Sequence, residues 1–197
     1  MTSPTTTDTP KPPSKLLRVL FIGLALFCIF FGGLLVLIAS RPADYSIVRS
    51  TTIAASPQAV FDRVSDLRKW DDWSPWAKLD PNAKYSFSGP ESGKGSAFSW
   101  SGNNEVGEGT MTITESTPPE RVQFHMAFVR PMQDTSNTTF TFTPEGSGTK
   151  VVWAMSGKNN FVGKAMCLVM DMDKMVGGQF EQGLSNLKTL TESEANK

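Results

Sequence analysis

Three patterns of hydrophobic and polar positions follow one another along the chain. From Val19 to Ala39 the sequence VLFIGLALFCIFFGGLLVLIA holds no charge and no proline. As a helix it is about 31 Å long at 1.5 Å per residue, close to the hydrocarbon thickness of a bilayer. A helix bonds every backbone N–H and C=O within the segment, as a bilayer demands. The pattern predicts a transmembrane helix over residues 16–40. From Tyr45 onward apolar and polar residues alternate in short runs, and from Phe161 the apolar spacing becomes three and four.

The alternating runs read as strands. Tyr45 to Ala54 is rich in β-branched residues. Ser56-Pro57 then reads as an N-cap with proline at the first helical position. The predicted helix PQAVFDRVSDLRKW puts Val60, Phe61, Val64 and Leu67 on one face. Further strands are expected over 85–88, 96–100, 107–115, 121–128, 137–143 and 150–156, divided by glycine, proline and asparagine turn signals. Short strands with tight turns imply an antiparallel meander.

Val122, Phe124, Met126 and Phe128 share one face; so do Phe140 and Phe142, and Val151, Trp153 and Met155. Arg121, Gln123 and His125 take the other, with Thr139, Thr141 and Thr143. One side of the sheet is wet and one is covered. The cover is a long final helix from Phe161 to about Glu192, bent at Gly177-Gly178. It carries Phe161, Ala165, Leu168, Val169, Met172, Val176, Phe180, Leu184 and Leu187 at helical spacing. The expected fold class is α+β: a curved antiparallel sheet of about seven strands wrapped round a long C-terminal helix, preceded by one transmembrane helix.

A cleaved signal peptide is the rival reading of the apolar segment. Such peptides have an apolar core of about 7–15 residues and a small-x-small cleavage site. Here the core is longer, and IASRPADYS offers a poor site. Cys28 follows Ala25-Leu26-Phe27, unlike a lipoprotein signal. Lys11, Lys15 and Arg18 precede the segment, while Arg41 and Arg49 follow it. The excess of one positive charge favours a cytoplasmic N-terminus and a single-pass protein whose domain lies on the outer side.

Composition narrows the partners. Residues 1–15, MTSPTTTDTPKPPSK, are Thr/Pro-rich without apolar periodicity and are expected to be disordered. Residues 41–197 suffice for one domain with one core. Basic and acidic residues balance at 19 each without a basic stripe, which argues against nucleic acid. One histidine and one cysteine in the domain argue against a zinc site, and nothing points to a cofactor. No nucleophile-elbow, P-loop or dinucleotide fingerprint occurs.

The strings IAASPQAVFDRVSDLRKWDDWSPW, FSGPESGKGSAFSW, GEGTMTITESTPPERV, GTKVVWAMSG and GGQFEQGLSNLK span residues 45–192. In this order they resemble the START-like, or helix-grip, superfamily, and within it the polyketide cyclase/dehydrase and lipid-transport group. The resemblance implies a cavity between the concave face of the sheet and the C-terminal helix, which in many relatives holds a lipid, sterol or polyketide. It carries over no catalytic residue, because members share no single set.

Candidate residues carry two readings each. Trp70, Trp73 and Trp76 gate the cavity mouth or plug the open end of the sheet. Trp100, Phe124, Met126, Phe128, Phe140, Phe142, Trp153 and Met155 line a pocket or fill a core. Met166, Met170, Met172 and Met175, with Cys167, suit an irregular core, a ligand, a protein partner or lipid. Glu108, between Gly107 and Gly109, is the weak candidate for a cavity acid, or an exposed glutamate at a bulge. His125 is expected to point outward, and Asp66, Asp71 and Asp72 to serve helix ends and turns. The leading expectation is a membrane-anchored module that binds a hydrophobic small molecule or lipid. A cyclase/aromatase-like enzyme and a ligand-free protein-interaction module are the alternatives.

Overall fold

The computed structural model describes residues 15–195. The tail expected to be disordered lies outside them, apart from Lys15, which starts helix α1 (Lys15–Ala39). The chain divides into two compact units between Arg41 and Pro42. Helix α1 is long and apolar enough to cross a bilayer.

The second unit is a seven-stranded, wholly antiparallel curled sheet with helices on its concave side. Strand β1 (Asp44–Ile53) leads into helix α2 (Pro57–Ser65) and a 3₁₀ turn at Leu67–Asp72. The strands β2 (Lys84–Ser88), β3 (Ala97–Ser101), β4 (Glu108–Thr117), β5 (Arg121–Arg130), β6 (Asp134–Glu145) and β7 (Gly148–Lys158) follow. Helices α3 (Phe161–Met166) and α4 (Met172–Ala195) follow the sheet. The sheet order is β1-β7-β6-β5-β4-β3-β2, so the first strand pairs with the last.

Local chemistry sets the breaks. The Ser56 hydroxyl accepts the Ala59 amide at 3.3 Å, and Pro57 opens α2, as the sequence pattern requires. The single helix expected over PQAVFDRVSDLRKW is interrupted at Asp66. That residue is extended, and its carboxylate accepts the Arg68 amide at 3.1 Å, starting the 3₁₀ turn.

The long final helix is likewise two helices. After α3 the amides of Leu168 and Val169 bond three residues back, to Ala165 and Met166, which tightens and ends the helix. The Asp171 carboxylate then accepts the Lys174 amide at 3.1 Å, and α4 starts afresh. Gly177-Gly178 sit inside α4, which is assigned unbroken from Met172 to Ala195. Gly177 also makes room for Arg49 of β1, whose guanidinium a Cβ there would strike. Gly183 likewise admits Trp153, with a Cβ 2.9 Å from the indole. These glycines serve close approach of helix and sheet.

Only the later part of the expected apolar stripe covers the sheet. Phe180, Leu184 and Leu187 are buried and Val176 packs beside them, whereas Phe161 is 48% and Val169 83% exposed. The core cluster runs from Ile47 to Leu187, so residues 42–197 carry a complete core.

Ion pairs clamp α4 onto β1. Arg49 reaches Glu181 at 2.6 Å and Asp173 at 2.9 Å. Lys188 donates to the Thr52 carbonyl at 2.6 Å and to Glu192 at 2.8 Å, and the Ala54 amide reaches Glu192 at 2.7 Å. The Lys188 hydrogen bond, then the Ala54 amide, hold the Glu192 carboxyl below its usual range, and Arg49 does the same for Asp173. A carboxylate with a lowered folded-state pKa stabilises above its unfolded value and loses that stabilisation as pH falls through the folded value. The melting temperature is therefore expected to fall below about pH 4, and Glu192→Gln to flatten part of that fall. Equal acid slopes for parent and variant in a thermal-melt series would refute this role.

Candidate functional site

Across the concave face, residues paired in register form rows. One row is Val122, Phe140, Trp153 and Arg49; the next is Ile113, Phe124, Thr138, Met155 and Ile47; the third is Phe98, Met111, Met126, Ser136, Gly157 and Tyr45. The rows differ in what covers them.

The first two rows meet a dense aromatic cluster. The Trp153 ring stacks on Phe180 of α4 at 4.0 Å and lies 4.6 Å from Phe140. Trp70 sits 4.7 Å from Trp73 and edge-on to Phe124 at 5.3 Å. Trp73 approaches Trp153 at 5.8 Å and Phe140 at 6.1 Å. Trp70, Trp73, Phe124, Phe140 and Trp153 are all buried, the last four at 2% exposure or less. Trp70 Nε1 donates to the Val64 carbonyl at 2.8 Å, and Asn186 of α4 donates to the Trp73 carbonyl at 3.0 Å, pinning the tryptophan segment inside. Trp76 is half-buried at the edge of the cluster, 6.1 Å from Trp153.

The third row and its flanks are less covered. Tyr45, Phe98, Trp100, Met126, Met155 and Val176 are half-buried against the core. Phe128, edge-on to Trp100 at 5.9 Å, and Met172, the first residue of α4, are also half-buried. Trp100 lies over Gly109, where a Cβ would be 2.7 Å from its ring, and its Nε1 donates to the Val106 carbonyl at 3.2 Å. The glycine beside Glu108 thus makes room for an indole.

Glu108 itself lies on the opposite face, in step with Thr110 and Thr112 and out of step with buried Met111 and Ile113. It accepts from Arg130 at 3.0 Å and from Ser101 at 3.2 Å. A register shift between Glu108 and Gly109 marks the bulge. His125 is exposed, 3.3 Å from Asn137. A concavity of about 230 Å³ on this outer face is bordered by Lys84, Ser99, Ser101, Glu108 and Thr110. A second, of about 490 Å³, is formed by residues 167–173, beside exposed Val169 and Met170.

Sequence reasoning missed Tyr45, Ser136 and Thr138 on the concave face. Extending the Phe140/Phe142 alternation back by two steps finds Thr138, inside the expected strand 137–143, and Ser136, just before it. The Tyr45 phenol is pushed up, first by burial and then by the charge of Asp134.

This architecture has a counterpart in sequence. The family model described as polyketide cyclase / dehydrase and lipid transport matches residues 45–192. The chain belongs to that family. No protein of curated function matches it. Among solved structures of the cyclase/dehydrase and lipid-transport fold, an uncharacterised protein from Rhizobium leguminosarum aligns with TM-score 0.57 and 16% identity, over 78% of this chain and 97% of that one. The Aha1 dimer from Colwellia psychrerythraea aligns with TM-score 0.55 and 18% identity, over 75% and 96%. DynU16, from the dynemicin biosynthetic locus, aligns with TM-score 0.52 and 13% identity, over 76% of this chain and 48% of that one. At these identities the likeness is one of fold.

Proposed function

We propose that this family member is a membrane-anchored module that holds a hydrophobic small molecule or lipid on the half-covered part of its concave face. The observation that carries this reading is the apolar patch left half-buried there: Phe98, Trp100, Met126, Phe128 and Met155. Large apolar side chains around a concavity gain by excluding water from a ligand, about 25 cal/mol per Å² before ordering costs. The family's description includes lipid transport, and DynU16 comes from the dynemicin biosynthetic locus. The aromatic cluster acts as the floor of the site, with Trp70 and Trp73 as plug and Trp76 at its edge. Met172 and Val176 stand at the start of the covering helix.

Helix α1 supplies the anchor in this reading, crossing once with the N-terminus in the cytoplasm and the domain outside. The tether keeps the site near a supply of lipid-soluble ligand.

Native mass spectrometry of residues 42–197, purified from cells without added lipid, tests the ligand. A co-purifying apolar molecule that leaves on denaturation is expected. An apo mass throughout, with no uptake of apolar compounds by the delipidated domain, contradicts the reading. A second reading, a docking module without ligand, draws on exposed Phe161, Val162, Val169 and Met170. It becomes the better one if the domain stays apo.

A further inference from the structure

Helix α3 reads FVGKAM, yet none of its residues is buried. Phe161 and Val162 are 48% and 52% exposed, and Val169 and Met170, just after the helix, 83% and 40%. The Cys167 amide donates to the Gly163 carbonyl at 3.0 Å and the Met170 amide to the Met166 carbonyl at 2.9 Å, so residues 161–170 form one wound segment. Neighbouring large apolar side chains left in water call for something to cover them.

The course of the chain says what lies next to this segment. Strand β7 ends at Lys158, which pairs with Asp44 at the start of β1. The Asn159 amide donates to the Ala43 carbonyl at 2.8 Å, and α3 begins at Phe161. Helix α1 ends at Ala39. However the two units are set, the step from Ala39 to Ala43 spans at most about 14 Å of extended chain. Where α1 leaves a bilayer, the exposed segment is therefore close to the headgroups, a layer about 5–8 Å deep. Its charges nearly cancel: Lys158 and Lys174 have Asp44 and Asp171 at 3.9 and 3.4 Å. What the patch offers is apolar area to bury, with little preference for anionic lipid.

We infer that residues 161–170 are a membrane-docking segment, which lays Phe161, Val162, Val169 and Met170 into the headgroup–acyl boundary of the bilayer that α1 crosses. This rests on α1 being the retained anchor proposed above. Four side chains hold a free domain on lipid only weakly; the tether keeps them at high effective concentration, so the contact persists. The segment leads into Met172 and Val176 at the start of the covering helix. Docking brings that end of the concave face to the lipid.

The test uses the full chain without its two cysteines (Cys28→Ser, Cys167→Ser), floated with phosphatidylcholine vesicles. One nitrobenzoxadiazole label is placed at Met170→Cys or, as a control, at Ser147→Cys, which is exposed just before β7. At about 3.3 Å per residue the strand sets the control about 33 Å from Lys158. A lipid nitroxide near the top of the acyl chain is expected to quench the label at position 170 and to spare the one at 147. Val162→Asp combined with Val169→Asp is expected to remove most of the quenching at 170. Flotation and melting temperature should stay unchanged, because both side chains are exposed. Flotation without quenching at 170, equal quenching at both positions, or quenching that survives the two aspartates overturns the docking segment and leaves the anchor intact. Loss of flotation overturns both. Shielding of position 170 in cell membranes but not in pure lipid overturns lipid docking in favour of a protein partner.

Discussion

Trp153→Ala is expected to lower the unfolding free energy of residues 42–197 by about 3–5 kcal/mol. The side chain is 2% exposed and joins three parts of the domain: Phe140 of the sheet, Phe180 of the covering helix, and the Trp70–Trp76 segment. Removing it deletes contacts on all three sides and leaves a space lined by rigid rings, which cannot collapse easily. A domain of ordinary stability has about 5–15 kcal/mol to lose, so the variant approaches the edge of folding. Urea denaturation followed by circular dichroism measures the effect. Trp76→Ala, at the half-buried edge, is expected to cost less. A loss under about 1 kcal/mol for Trp153→Ala would mean that the cluster lines an open pocket, because a side chain lining a void forfeits few packing contacts.

Deletion of residues 1–41 is expected to move the protein from the membrane pellet to the supernatant with its fold and melting temperature unchanged. The full chain should resist carbonate and high salt, since insertion of a 25-residue apolar helix does not depend on charge. A full-length gene product found soluble and shortened at its N-terminus would establish a cleaved signal peptide instead. Sidedness has its own readout, because Cys167 is exposed. A membrane-impermeant maleimide is expected to label it in intact cells if the domain is outside; protection until lysis reverses the orientation.

The strand-helix-meander-helix order was legible because period-2 and helical spacings are written into single residues, such as Val122, Phe124 and Met126 against His125. Breaks were harder. Asp66 and Asp171 interrupt helices through side-chain hydrogen bonds to nearby amides, and an apolar pattern does not register them. Gly177, read in the sequence as a bend, also makes room for Arg49, a residue far away in sequence. Glu108 drew notice through its glycines, yet Gly109 is occupied by Trp100, and strand parity turns Glu108 to the outer face. Ser136 and Thr138 escaped because polar residues at inward positions break the alternation that marks a strand. They stand out only once the register with Met126, Met155 and Gly157 is known.

The pairing of β1 with β7 bears on biogenesis. Asp44 meets Lys158 and Ile53 meets Thr149, so the first strand waits for a partner made roughly a hundred residues later, and such long-range closure is slow. During synthesis β1 follows directly on the apolar helix, while its mate has yet to leave the ribosome. The sheet can close only once β7 has been made, after α1 is available for insertion. A nascent chain stalled before Gly148 would lack both the partner of β1 and the covering helix, and would present protease with an open, uncapped sheet.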